Sequence, residues 1–165
     1  MNLKFLKIFF RSKNILLSLS NIGIFAGLIV LPFARLLHLD FISYFGGLLT
    51  MRPTGTLNHV VGSLVCVIIS MVSIYLYAAM FLGFKMLGIF LPLTISTFIL
   101  FGFLHSIVSG ICIKLIDLIH PCVRNATIDA MGFMVLARGG GSFFAFIFVH
   151  AFYAVVCFEI FESVY

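Results

Sequence analysis

A histidine lies within a long apolar stretch of the chain, where no water would reach its ring nitrogens. His105 belongs to the segment 86–113, which carries no Asp, Glu, Lys or Arg. Buried ring nitrogens are costly unless something binds them. Gly110 would let a second helix or a flat ligand approach the backbone, and Lys114 and Asp117 are expected to mark the return to the membrane surface. A neutral imidazole in this setting could be the axial ligand of a haem iron, or it could be hydrogen-bonded to a neighbouring helix.

A second histidine is expected at a similar depth. His105 lies twelve residues before Asp117, and His150 lies twelve residues after Arg138. At 1.5 Å per residue, each histidine is about 18 Å from its charged residue. We therefore expect both side chains near the membrane midplane, on antiparallel helices.

Three histidines are each followed by a cysteine seven residues later. The pairs are His59 with Cys66, His105 with Cys112, and His150 with Cys157. Each pair lies on one helix face, but consecutive spans run in opposite directions, so the pairs are not expected to form one metal site. The chain has no C-x-x-C pair and no C-x-x-C-H sequence, which argues against a zinc ribbon or a covalently attached haem. We expect the cysteines to be buried free thiols that pack as small hydrophobic side chains.

The composition places the chain in a membrane. Of its 165 residues, 63% are hydrophobic and 9% are charged, and the mean hydropathy is +1.28. A water-soluble domain of this size needs more polar surface. The apolar runs are continuous rather than alternating, so we predict an all-α, polytopic helical membrane protein and not a barrel. The net charge of +5 requires no nucleic-acid partner, because membrane proteins gather Lys and Arg at the membrane surfaces.

The chain is interpreted as a basic N-terminal flank, residues 1–20, followed by a single transmembrane helical domain, residues 21–165. The flank carries four basic residues and no acidic residue. This composition is typical of a mitochondrial targeting segment, and equally of the positive flank of a first helix.

Four apolar segments are long enough to cross a hydrocarbon core, which takes about 20 residues. The first, 15–37, either crosses or lies partly in the interface, because Pro32 and Arg35 weaken its far end. The three core spans are predicted at 60–84, 86–113 and 138–158. Pro92 predicts a kink or a late beginning in the second of them. The segment 114–130 is predicted to be a polar loop.

A short turn around Lys85 predicts that the first two core spans form a hairpin. Arg52, Lys114 and Arg124 would then lie at one face of the membrane. Each side of the predicted topology carries five positive residues, so the charge distribution does not set the orientation.

The segment 105–117, H-S-I-V-S-G-I-C-I-K-L-I-D, resembles a motif in the cytochrome b membrane-anchor subunit of succinate dehydrogenase. That motif, H-x-x-x-G-I-R-H-x-x-x-D, lies on the family's second helix. Arg52-Pro53 resembles the family's R-P element, and 57–63, L-N-H-V-V-G-S, resembles its helix start S-x-x-H-R-x-[ST]-G. The resemblance covers about residues 52–158. The chain departs from it by one residue inserted before Gly110, by Cys-Ile in place of Arg-His, and by Val60 in place of Arg.

The resemblance implies a haem b. His105 would bind the haem iron, and Lys114 would be the basic residue nearest to the haem propionates. The second iron ligand would come from a sister anchor subunit, or from His150 as in single-chain anchors.

The resemblance also implies a quinone site and a respiratory complex. Arg52, His59 and Ser63 would bind ubiquinone near the start of the first core span. Electrons would arrive from an iron–sulfur subunit, and a second anchor subunit and lipid would surround the chain. The chain would then belong to a succinate–quinone oxidoreductase of the mitochondrial inner membrane.

The competing interpretation is an accessory or structural subunit of a larger membrane complex, without a cofactor. His105 and His150 would then make hydrogen bonds between helices, worth ~0.6 kcal/mol on average in membranes. A channel or transporter is disfavoured, because no predicted span carries an internal acidic residue.

Overall fold

The polypeptide is built from helices. The computed structural model describes residues 13–89 and 91–164, with side chains described for 17–89 and 91–162. The helices are α1 (Lys13–Leu36), α2 (Phe41–Thr50), α3 (Thr56–Met86), α4 (Ile95–Ile119), the single turn α5 (Pro121–Arg124) and α6 (Gly140–Val164), with a 3₁₀ segment at Phe133–Arg138. Helix accounts for 82% of the structure, and the described residues contain no strand. The predicted all-α fold is confirmed.

Within the described residues, four helices are long and apolar enough to cross a membrane. The candidate spans are Leu17–Leu36, Thr56–Met86, Ile95–Ile119 and Gly140–Glu162. They correspond to the three predicted core spans and the N-terminal apolar helix. Pro32 lies inside α1 without ending it, and α6 continues beyond the predicted end at residue 158. Residues 1–12 of the basic flank lie outside the described residues, so the targeting expectation stays a prediction.

The second core span begins later than predicted. Helix α3 continues to Met86, and α4 begins at Ile95 rather than at residue 86. The side chain of Thr94 caps α4 by accepting a hydrogen bond from the Thr97 N–H. Pro92 lies in the connection between the two helices, so of the two predicted outcomes it marks a late beginning and not a kink.

The end of α4 extends into the region predicted to be a loop. Asp117 is buried there, and its carboxylate accepts from the Tyr44 hydroxyl at 2.8 Å and from the backbone N–H groups of Met131 at 3.1 Å and Gly132 at 2.6 Å. Burial, followed by the hydrogen bond to Asp117, raises the pKa of Tyr44 above its ordinary value. Asp117 therefore joins α4 to α2 and to the segment before α6, and its place at the membrane surface stays a prediction.

Small residues bring the long helices together in pairs. A Cβ added at Gly23 of α1 would lie 2.8 Å from the Cα of Met71 in α3, and one added at Gly102 of α4 would lie 2.7 Å from the backbone oxygen of His150 in α6. Such crossings allow close packing between helices in a membrane. Helix α1 also packs on α6, whereas α3 and α4 contact each other at few positions. A cleft therefore remains between α3 and α4.

The short helices α2 and α5 lie together at one end of the bundle. A Cβ added at Gly47 would lie 3.2 Å from the backbone oxygen of Arg52 and 3.3 Å from Cε1 of His120. The start of α3 and the end of α4 are thus close to each other, which agrees with the predicted hairpin.

Candidate ligand-binding cleft

The space between α3 and α4 is a cleft of about 470 Å³ at the level of the spanning helices. All four long helices and α2 contribute to its wall, which is mostly apolar. The hydroxyl and imidazole side chains in the wall are Ser70, Ser73, His105, Ser109, His150 and Tyr153. Binding sites for small molecules typically have ~300–1,000 Å³ and a few polar groups in an apolar wall. The cleft has both properties.

His105 is held by a directional chain of hydrogen bonds. The Ser73 hydroxyl donates to the backbone oxygen of Ile69 at 2.9 Å, so its oxygen is left to accept from Nε2–H of His105 at 3.1 Å. Nδ1 of His105 then carries the lone pair and accepts from the Tyr77 hydroxyl at 3.1 Å. Both ring nitrogens are therefore satisfied by side chains of α3.

His150 has one ring nitrogen free. Its Nδ1–H donates to the backbone oxygen of Phe146 at 2.8 Å. Because a carbonyl oxygen can only accept, the proton lies on Nδ1 and the lone pair on Nε2. Nε2 has no hydrogen-bond partner among the described residues, and His150 lines the cleft. A backbone bond on one nitrogen with the other left free is typical of a histidine that binds a ligand.

The two histidines are in contact, as their predicted depths allow. Their ring centroids are 4.7 Å apart, with the planes at 79°. The ring of Tyr153 lies 6.0 Å from that of His105, and the Tyr153 hydroxyl donates to the backbone oxygen of Ser70 on α3. These contacts tie α6 to α3 at the wall of the cleft.

The residues, as positioned, do not fit a haem held by both histidines. Two imidazoles on opposite sides of one iron, with metal–nitrogen bonds of about 2 Å, would have ring centroids roughly 6 Å apart. The observed separation is 4.7 Å. His105 also has no free nitrogen, because Ser73 and Tyr77 occupy both. Iron ligation by His105 stays a prediction, and it requires one of these two contacts to open.

The other predicted site residues lie away from the cleft. Arg52 is exposed, and His59 and Ser63 are half-buried near the start of α3. Lys114 is exposed on α4. None of the four lines the cleft. The predicted quinone site at Arg52, His59 and Ser63 stays a prediction.

The free thiols differ from the expectation at one position. Three of the four cysteines are buried, but Cys112 is exposed on α4. The expectation of a buried thiol is wrong there, because Cys112 lies on α4 at the open cleft. In the described part of the chain, no group of three or more His, Cys, Asp or Glu side chains could hold a metal ion.

Sequence reasoning missed a polar face of α3, on which the Ser73 and Tyr77 hydroxyls bind His105 and the backbone oxygen of Ser70 accepts from Tyr153. Ser70, Ser73 and Tyr77 are spaced by three and four residues within an otherwise apolar span. That spacing places them on one face of α3. The spacing could have identified this face of α3 as the partner of His105.

Comparisons of the chain with protein-family models, with curated proteins and with solved structures found no match.

Proposed function

We propose that the chain is a membrane-anchor subunit of a succinate–quinone oxidoreductase and that it holds ubiquinone in the cleft between α3 and α4. The order of the sequence motifs over residues 52–158 supports this class of subunit. In such a complex, an iron–sulfur subunit supplies the electrons, and the anchor provides a place where quinone receives two electrons and two protons. A second anchor subunit and the lipid of a mitochondrial inner membrane would surround it.

The cleft is the observation that carries the proposal. Its mouth is bordered by exposed apolar side chains of α3 and α4, including Ile68, Val72 and Val108. An apolar molecule can therefore enter from the lipid without passing through water. A quinone combines a small polar ring with an apolar tail, and the cleft offers an apolar path with polar groups in its wall.

Three polar groups in the wall are available to a quinone ring. Nε2 of His150 and the hydroxyls of Ser70 and Ser109 have no hydrogen-bond partner in the part of the chain that is described. The aromatic ring of Tyr153 adds a flat surface to the same wall. His105, held by Ser73 and Tyr77, supports this wall through its contact with His150.

A cofactor-free accessory subunit is the second candidate function. The observation that favours it is the complete hydrogen bonding of His105, whose two nitrogens bind side chains of α3. In this account His105 joins two helices, and the cleft receives apolar side chains of a helix from a neighbouring subunit.

Purification of the tagged chain from mildly solubilised membranes tests the first function against the second. We expect succinate dehydrogenase activity to copurify with the chain, and ubiquinone to be extracted from the purified complex in a defined ratio to it. A reduced-minus-oxidised visible spectrum of the same sample tests for haem b. An untagged strain carried through the same steps is the control.

Two results would contradict the proposal. Copurification of a membrane complex without succinate–quinone activity would replace the anchor with the accessory subunit. Quinone recovered only in proportion to the residual lipid would show that the complex holds no bound quinone.

A further inference from the structure

We propose that Nε2 of His150 is the recognition point of the cleft, that it accepts a hydrogen bond, and that the cleft therefore prefers the quinol to the quinone. This inference rests on the proposed quinone site and adds the redox form that the site selects. A quinol carries two hydroxyl donors, whereas a quinone carries only carbonyl acceptors.

The tautomer of His150 is set by the backbone. The Phe146 carbonyl lies 2.8 Å from Nδ1 and can only accept, so the opposite tautomer would place two lone pairs against each other. A doubly protonated ring would be an unpaired charge within the membrane, because no Asp or Glu lines the cleft. Nε2 is thus an acceptor, and a carbonyl oxygen placed against it would be repelled.

The other groups of the wall do not oppose this selection. The Tyr153 hydroxyl donates to the Ser70 backbone oxygen, and the Ser73 hydroxyl donates to that of Ile69. Nε2–H of His105 points to Ser73. The Ser70 and Ser109 hydroxyls remain, and a hydroxyl can donate or accept, so they can serve either redox form. His150 is therefore the group in the wall that discriminates between them.

Binding to the full chain in lipid nanodiscs tests the inference. Dissociation constants are measured anaerobically for decylubiquinol, decylubiquinone and the quinol dimethyl ether, which keeps the ring and tail but has no donor. One net hydrogen bond corresponds to roughly a 2- to 10-fold preference. We expect the wild-type chain to bind the quinol tighter than the other two by this factor.

A variant tests whether His150 is the source of the preference. In His150→Phe the ring shape remains but the acceptor is lost, so quinol and quinone should bind with equal affinity. The matched control is Phe144→Leu, a change on the exposed face of the same helix that should keep the preference. The dimethyl ether comparison uses wild-type protein and holds even if the His150 variant does not fold.

The failures of the two proposals are distinguishable. Equal binding of quinol, quinone and dimethyl ether by the wild-type chain would overturn the inference and leave the quinone site standing. A folded His150→Phe chain that keeps the full quinol preference would also overturn it, as would a folded one that binds quinol and quinone more weakly by the same factor. If none of the three compounds binds saturably, the proposed function fails as well.

Discussion

At the scale of single residues, two histidines in contact have different chemistry because their hydrogen bonds differ. His105 is bound at both nitrogens by Ser73 and Tyr77, and His150 is bound at one by a backbone carbonyl. Sequence alone predicts the depth of both residues, because depth follows from helical rise and from the positions of the charged residues. It does not predict which of the two histidines keeps a free ring nitrogen, because the partners of His105 come from another helix.

Removing the Tyr77 hydroxyl tests the assigned tautomer of His105. Tyr77→Phe leaves the lone pair of Nδ1 without a donor, so we expect a loss of about 0.6 kcal/mol in the free energy of unfolding, and at most about 1.7 kcal/mol, which are the mean and the maximum measured for such bonds in a membrane protein. Unfolding by denaturant in detergent micelles measures it. Ser109→Ala removes a hydroxyl that has no partner among the described residues and should change little. Equal effects of the two substitutions would mean that Tyr77 does not hold His105.

At the scale of helices, small residues determine which helices pack against each other. Gly102 lies against the backbone of α6 at His150, whereas an added Cβ at Gly83, on α3, would have no atom of the described residues within 4 Å apart from its own stretch of helix. Both are glycines within apolar helices, so the sequence does not separate them. The difference lies in a non-local contact that only the packed structure shows.

These two glycines give a matched pair of substitutions. Gly102→Ala pushes a methyl group into the α6 backbone, and we expect it to lower stability by about 1–3 kcal/mol, as overpacking does. Gly83→Ala meets open space and should be neutral or raise stability by up to about 1 kcal/mol through helix propensity. Thermal unfolding of the purified variants measures both. A stable Gly102→Ala chain would contradict the close crossing of α4 and α6.

The end of α4 depends on a buried carboxylate. Asp117 binds Tyr44 and two backbone N–H groups ahead of the 3₁₀ segment, in which Met134 and Val135 have left-handed backbone angles. Sequence reasoning used Asp117 as a marker of the membrane boundary, because a charge next to an apolar run usually lies there. It did not predict the hydrogen bonds of the carboxylate, because Tyr44, Met131 and Gly132 are distant in sequence.

Replacing that carboxylate should loosen the segment that precedes α6. In Asp117→Asn an amide group faces backbone donors, so we expect a loss of about 3 kcal/mol in the free energy of unfolding and faster hydrogen exchange at Gly132. Asp129→Asn, at an exposed position, is the control and should match the wild-type chain. Unchanged exchange at Gly132 would contradict the anchoring role of Asp117.

At the scale of the whole molecule, the helical class was predictable and the cleft was not. The number of long apolar helices follows from composition and length, because each span must bury its own backbone groups. The pairing of α1 with α3 and of α4 with α6 leaves α3 and α4 apart, although they are consecutive and form a predicted hairpin. The predicted quinone residues Arg52, His59 and Ser63 came from local motifs and stay a prediction, whereas the cleft follows from helix pairing, which local motifs do not show.

Photolabelling with an azido-ubiquinone tests most directly whether the cleft is the quinone site. The purified complex is illuminated with the probe, with and without excess decylubiquinone, and the modified peptides are sequenced. We predict adducts on the α3 and α4 residues that border the cleft, from Cys66 to Leu76 and from His105 to Ile116, and their loss under competition. Adducts spread over lipid-facing positions such as Leu64 and Phe144, unchanged by competition, would contradict a quinone site in the cleft.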